Sequence, residues 1–200
     1  MGEVYLNGEH VDFQGPAPET PLEVWSVLEN FLGQSRMLID RMEVDGNYWM
    51  PGGDDGAVSY GEIQAFSVSQ SEKATQIATE LLDLRESIVE QWQNASRIAL
   101  REPWSSFQAK AIELLDATQP FVQSASVLVA FGQESEADWA IELQRAANAL
   151  NSGIELLIDA YEAGDCAKFS DTASGPCLKG IGEVNTVLRS MIKAIGDRVE

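Results

Sequence analysis

Two hundred residues, 44% hydrophobic and 22% charged, suffice for one large domain or two small ones and exclude a wholly disordered chain. With 32 acids against 13 bases the net charge is −19, which argues against nucleic acid and anionic membrane surfaces as partners, because both are bound through neutralised phosphates. No run of about 18 apolar residues is present to span a membrane, and the N-terminus lacks the basic-then-apolar layout of a secretory signal, so a cytoplasmic address is expected.

The first elements are short. Asn7-Gly8 separates Glu3–Leu6 from Glu9–Phe13, and both turn residues tolerate the positive φ angles of a type I′ turn, which predicts a hairpin. Gly15-Pro16-Ala17-Pro18 then breaks the chain. Thr20-Pro21-Leu22-Glu23 is a helix start with a Thr cap, Pro at the first helical position and Glu three residues after the cap. Leu22, Trp25, Leu28, Phe31 and Leu32 form its expected apolar stripe, ended by Gly33. A strand through Met37, Ile39 and Val44 follows, then an Asp45-Gly46 turn, the run Tyr48-Trp49-Met50, a Gly/Asp loop at Pro51–Gly56, and a last strand through Ile63, Phe66 and Val68.

Near Ser69 the hydrophobic period changes from two to three or four, and it stays helical to the end. Ser69 with Glu72 forms a second capping box, and Ile77, Leu81, Leu84, Ile88, Trp92 and Ala95 define the next stripe. Pro103 opens a helix carrying Phe107, Ala111, Leu114, Leu115, Thr118 and Val122, which Pro120 should kink or split. Trp104 at its start is placed to cover one end of the helices. Ser135 with Asp138 starts a third helix with the stripe Trp139, Leu143, Ala146, Leu150, Ile154, Leu157 and Tyr161, closed by Gly164-Asp165. The last element is interrupted at Ser174-Gly175-Pro176 and resumes through Ile181, Val184, Leu188, Met191 and Ile195.

These patterns predict an α+β chain: a β-grasp-like module at residues 1–69 and an antiparallel up-down four-helix bundle at 70–200. In its order of hairpin, helix, strand, loop and strand, with Asn7-Gly8-Glu9 in the first turn and Gly61-Glu62-Ile63 leading into the last strand, residues 3–68 resemble the small sulfur-carrier proteins of thiazole and molybdopterin synthesis. Those carriers act through a free C-terminal Gly-Gly. Here Val68 runs into a helix instead, so the resemblance implies a β-grasp scaffold without the carrier chemistry.

Motifs for catalysis are missing. A di-iron bundle needs Glu-x-x-His pairs, and the single histidine, His10, lies in the hairpin; zinc motifs and histidine triads fail for the same reason. Asp45-Gly46-Asn47 departs from the EF-hand pattern at Trp49, and Asp54-Asp55-Gly56 reads as turn chemistry. No phosphate-cradling loop and no nucleophile elbow is present. Two cysteines eleven residues apart, Cys166 and Cys177, leave a disulfide open, and reduced, partly buried thiols are the expectation for a cytosolic chain. No catalytic residue, metal site or cofactor is therefore expected.

What remains is recognition. Residues 1–70 hold twelve acids and two bases, and Glu134–Asp165 holds eight acids against Arg145 alone. Such surfaces aid solubility and can dock a basic partner. Tyr48, Trp49 and Met50 are the candidate partner-binding residues, since these types are enriched in interface hot spots; alternatively their rings seal the joint between the two modules. The expected function is a non-catalytic adaptor or chaperone-like protein, monomeric or homodimeric. It would bind another protein, one that is basic or presents an amphipathic helix, through its acidic surface and a helical groove. Export-apparatus and flagellar chaperones resemble it in being small, acidic and helical. The competing expectation is a small-ligand binder or enzyme with a pocket between the modules.

Overall fold

The computed structural model describes residues 2–13, 15–52 and 59–197. Its architecture is α+β, a five-stranded mixed sheet followed by helices. Contacts divide the chain into two compact units, Met1–Lys73 and Ala74–Glu200. The Asp54-Asp55-Gly56 turn falls outside the described residues.

In the first unit, strands β1 (Glu3–Leu6) and β2 (Glu9–His10) form a hairpin, helix α1 (Pro21–Gly33) follows, and β3 (Met37–Val44), β4 (Asn47–Trp49) and β5 (Glu62–Ser69) complete the sheet. The strand order is β2-β1-β5-β3-β4. Only β1 and β5 run parallel; the other neighbours are antiparallel. Both hairpin turns use left-handed backbone, with φ of 52° and 83° at Asn7 and Gly8 and of 49° and 78° at Asp45 and Gly46. Each turn is tied to the central strand β5. Asn7 Oδ1 accepts from Ser67 N at 2.9 Å, and Asp45 Oδ1 accepts from Gly61 N and Glu62 N at 2.9 and 2.8 Å. The polar turn residues thus satisfy backbone donors that would otherwise be orphaned.

Helix α1 starts with the capping box that Thr20 and Glu23 foretell. Its buried face differs from expectation. Pro21, Val24, Leu28 and Leu32 are buried, whereas Leu22 and Phe31 are 48% and 61% exposed. Two apolar arcs overlap on this short helix, and periodicity alone cannot say which one the sheet covers. Val24 and Leu28 meet Val4, Met42, Ile63, Ala65 and Tyr60 in one core. Tyr60 closes it by donating its hydroxyl to the Pro18 carbonyl at 2.8 Å.

Strand β5 passes directly into helix α2 (Gln70–Ala99), whose start is capped as expected: Glu72 N donates to Ser69 Oγ at 3.1 Å and Ser69 N to Glu72 Oε2 at 3.0 Å. The Ser69 hydroxyl also donates to Glu72 Oε2 at 2.7 Å, and that bond first, then the one from Ser69 N, holds the Glu72 carboxyl below its ordinary range. The second unit continues with α3 (Trp104–Glu134), α4 (Asp138–Glu162), α5 (Cys166–Thr172), a π-helical turn (Ala173–Cys177) and α6 (Leu178–Gly196). Its core includes Leu81, Ile88, Trp92, Phe107, Phe121, Leu143, Leu150, Leu157, Phe169, Ile181 and Leu188. No described helix is long and apolar enough to cross a membrane.

Polar bonds pin the helices where apolar contact alone would let them slide. Trp92 Nε1 donates to Thr118 Oγ1 at 2.9 Å, and that hydroxyl donates to the Leu114 carbonyl at 2.8 Å. Ser96 and Ser170 bring their hydroxyls to 2.9 Å between α2 and α5. Trp104 lies against Tyr161, Phe107 and Phe169 with ring centroids 5.3 to 6.3 Å apart. Helices α4 and α6 approach closely, for a Cβ added to Gly180 would sit 2.7 Å from Leu150 Cα.

Three local expectations are corrected and a fourth is met. Leu84 is 47% exposed, and Arg85 takes the inner position between Leu81 and Ile88. Of the kink or split expected at Pro120, the split does not occur: the proline is exposed and α3 runs unbroken through it. Ser135 caps no helix start: its hydroxyl donates to the Phe131 carbonyl at 2.8 Å, closing α3, and α4 begins at Asp138. The interruption expected at Ser174-Gly175-Pro176 is present, as the π turn between α5 and α6.

Candidate functional site

Alternation along a strand sends successive side chains to opposite faces. In the first unit Val4, Met42, Ile63 and Ala65 go to the core, so Glu3, Tyr5, Glu43, Glu62 and Gln64 go to the other face. Pairing aligns them. Tyr5 is opposite His10 on β2 and Gln64 on β5; Gln64 is opposite Glu43 on β3, which is opposite Tyr48 on β4. One row, His10–Tyr5–Gln64–Glu43–Tyr48, therefore crosses all five strands. Two residues away along the strands, Glu3 pairs with Glu62 and Arg41 with Phe66.

The face is polar but ordered. Tyr5 and His10 meet edge to face at 5.6 Å between ring centroids. The Tyr5 hydroxyl donates to Glu3 Oε2 at 2.8 Å, and Gln64 Nε2 donates to Glu62 Oε1 at 2.7 Å. Tyr5 titrates above its ordinary range, first because Glu3 accepts its proton bond, then through burial and the charges of Glu3 and Glu62. Arg41 lies over the Phe66 ring at 4.3 Å and contacts Glu43 at 3.4 Å.

The three residues singled out in the sequence separate here. Tyr48 stands on the outer face, 64% exposed. Trp49 pairs with Met42 and points to the helix side, half-buried, its ring 6.0 Å from that of Trp25. Met50, 58% exposed, follows the strand. Tyr5, Gln64 and Glu43 belong to the same row as Tyr48 and were not singled out. Alternation in Glu3-Val4-Tyr5 and Glu62-Ile63-Gln64-Ala65 marks them as outward residues, but only the strand register unites them.

In the helical unit, α3 and α4 leave a shallow groove of about 270 Å³ lined by Leu115, Thr118, Val122, Ile154 and Ile158. Burial pushes the Cys177 thiol up to about 12, so it is no nucleophile at neutral pH. Arg85 Nε and both amide atoms of Asn185 are buried without a hydrogen-bond partner among the described residues. Within those residues no group of three or more His, Cys, Asp or Glu side chains is arranged to hold a metal ion. No protein-family model, curated protein or solved structure matches this chain.

Proposed function

We propose that this chain is a non-catalytic protein-binding protein, an adaptor or chaperone-like one, built from a β-grasp unit and an antiparallel up-down four-helix bundle. The strand order, with β1 and β5 parallel at the centre and α1 following the first hairpin, supports the β-grasp reading. Bonds from α2 to α3 and α5, and close approach of α4 to α6, support the bundle, with α5, the π turn and α6 as its interrupted fourth helix. The observation that carries the functional reading is the outer row ending in Tyr48. Aromatic and amide side chains stand side by side on a rigid sheet, a layout suited to a partner surface, since tyrosine supplies large contact area at small entropic cost. The apolar groove between α3 and α4 adds a second surface of the kind that receives an amphipathic segment.

The test is affinity capture with the full chain and with Tyr48→Ser. A captured protein whose direct binding weakens at least tenfold in the variant, at unchanged melting temperature, supports the proposal. Capture that is indifferent to substitutions along the outer row overturns it.

A further inference from the structure

The outer face carries an imbalance that its own side chains leave in place. Glu3 and Glu62 are directly paired across two parallel strands, an arrangement in which like charges repel. Each carboxylate takes a hydrogen bond from a neutral neighbour, Tyr5 or Gln64, which orients it without compensating its charge. Among the described residues neither Glu3 nor Glu62 has a cationic partner, and the base on this face, Arg41, is already engaged by Phe66 and Glu43. The Asp45 carboxylate lies at the same end of the sheet, bonded to Gly61 N and Glu62 N. Beside these carboxylates stand the Tyr5 ring and, along the row, the exposed Tyr48.

We propose that this sheet face docks a basic segment of a partner protein, with an arginine or lysine side chain of that segment seated between Glu3 and Glu62 and against the Tyr5 ring. The inference rests on reading the face as a docking surface and adds the chemistry of the occupant. Charge complementarity selects it: residues 1–70 carry a net of −10, and the paired carboxylates lie at the acidic end of the face. A guanidinium fits best, because its planar fork can bridge two carboxylates while its face stacks on an aromatic ring. Bridging the pair would turn repulsion between Glu3 and Glu62 into attraction for the ligand.

Titration of the full ¹⁵N-labelled chain with a tetra-arginine peptide tests this. Amide shifts should concentrate at Glu3, Tyr5, Glu62 and Gln64. The double variant Glu3→Gln/Glu62→Gln should lose at least tenfold in affinity and melt no lower than the wild type. Glu155→Gln/Asp159→Asn removes the same formal charge from exposed positions on α4 and should change affinity less than twofold. Equal losses in the two double variants, or shifts dispersed over the helical unit, would overturn the inference. A captured partner protein separates this claim from the broader one. If its binding survives Glu3→Gln/Glu62→Gln but fails with Tyr48→Ser, the basic-segment inference falls and the docking face stands. If it ignores both, the two fall together.

Discussion

Helix α6 contains two glycines two residues apart whose replacement by alanine should have opposite effects. Gly182 has no atom within 4 Å of the position a Cβ would take, while at Gly180 that Cβ would lie 2.7 Å from Leu150 Cα and 3.1 Å from Leu150 N. At Gly182 only the backbone changes: alanine restricts the unfolded chain, so Gly182→Ala should stabilise by about 0.5–1 kcal/mol. The same gain applies at Gly180, but the clash is with the backbone of α4, which cannot rotate aside as a side chain could. One helix must shift by several tenths of an ångström, and overpacking of that kind costs about 1–3 kcal/mol. The net for Gly180→Ala is a loss of about 1–2 kcal/mol. In a chain of this size roughly 1 kcal/mol moves the melting temperature by about 2–4 °C, so the two variants should differ by about 3–12 °C, Gly182→Ala above the wild type and Gly180→Ala below it. Scanning calorimetry or a circular-dichroism melt at 222 nm reads this directly. Equal stabilisation by both alanines would refute the close approach of α4 and α6.

Further outcomes follow from the same contacts. Thr118→Val should destabilise by about 1–3 kcal/mol in urea melts, because it strands the buried Trp92 indole N–H; Trp92→Phe combined with Thr118→Val should cost less than the sum of the two singles. Trp49→Ala should cost about 1.5–2.5 kcal/mol, roughly half the usual loss for a fully buried aromatic, whereas Tyr48→Ala should stay within about 0.5 kcal/mol; a larger effect at Tyr48 would mean that it is a structural residue. Iodoacetamide at pH 8 should label Cys166, which is partly exposed, far faster than buried Cys177 in the native state, as read by mass spectrometry of the digested protein. Because burial raises the Cys177 pKa from 9.0 to about 12, its contribution to stability is whole below about pH 9 and is lost as pH rises toward 12, where the unfolded thiol is already ionised; Cys177→Ser should remove that part of the alkaline decline.

Local chemistry made several elements legible from the chain alone. The two Asx-Gly turns, the capping boxes at Thr20 and Ser69, and the change from a two-residue to a helical period all depend on neighbours within four residues, and they occur where the spacing puts them. The α+β order, with strands first and helices after, follows from those signals. Other features needed distant neighbours. Phe31 and Leu84 fit their helical stripes yet stay exposed, since an arc wider than the contact leaves apolar residues over, and tertiary contact chooses among them. Ser135 could cap either helix that it separates, and the left-handed turn at Glu136 assigns it to α3. The outer row was visible only as separate alternating segments. That Tyr5, Gln64, Glu43 and Tyr48 share one line, and that Glu3 faces Glu62, depends on register between strands up to about sixty residues apart, which no local pattern encodes because a slip of one residue would send every side chain to the other face.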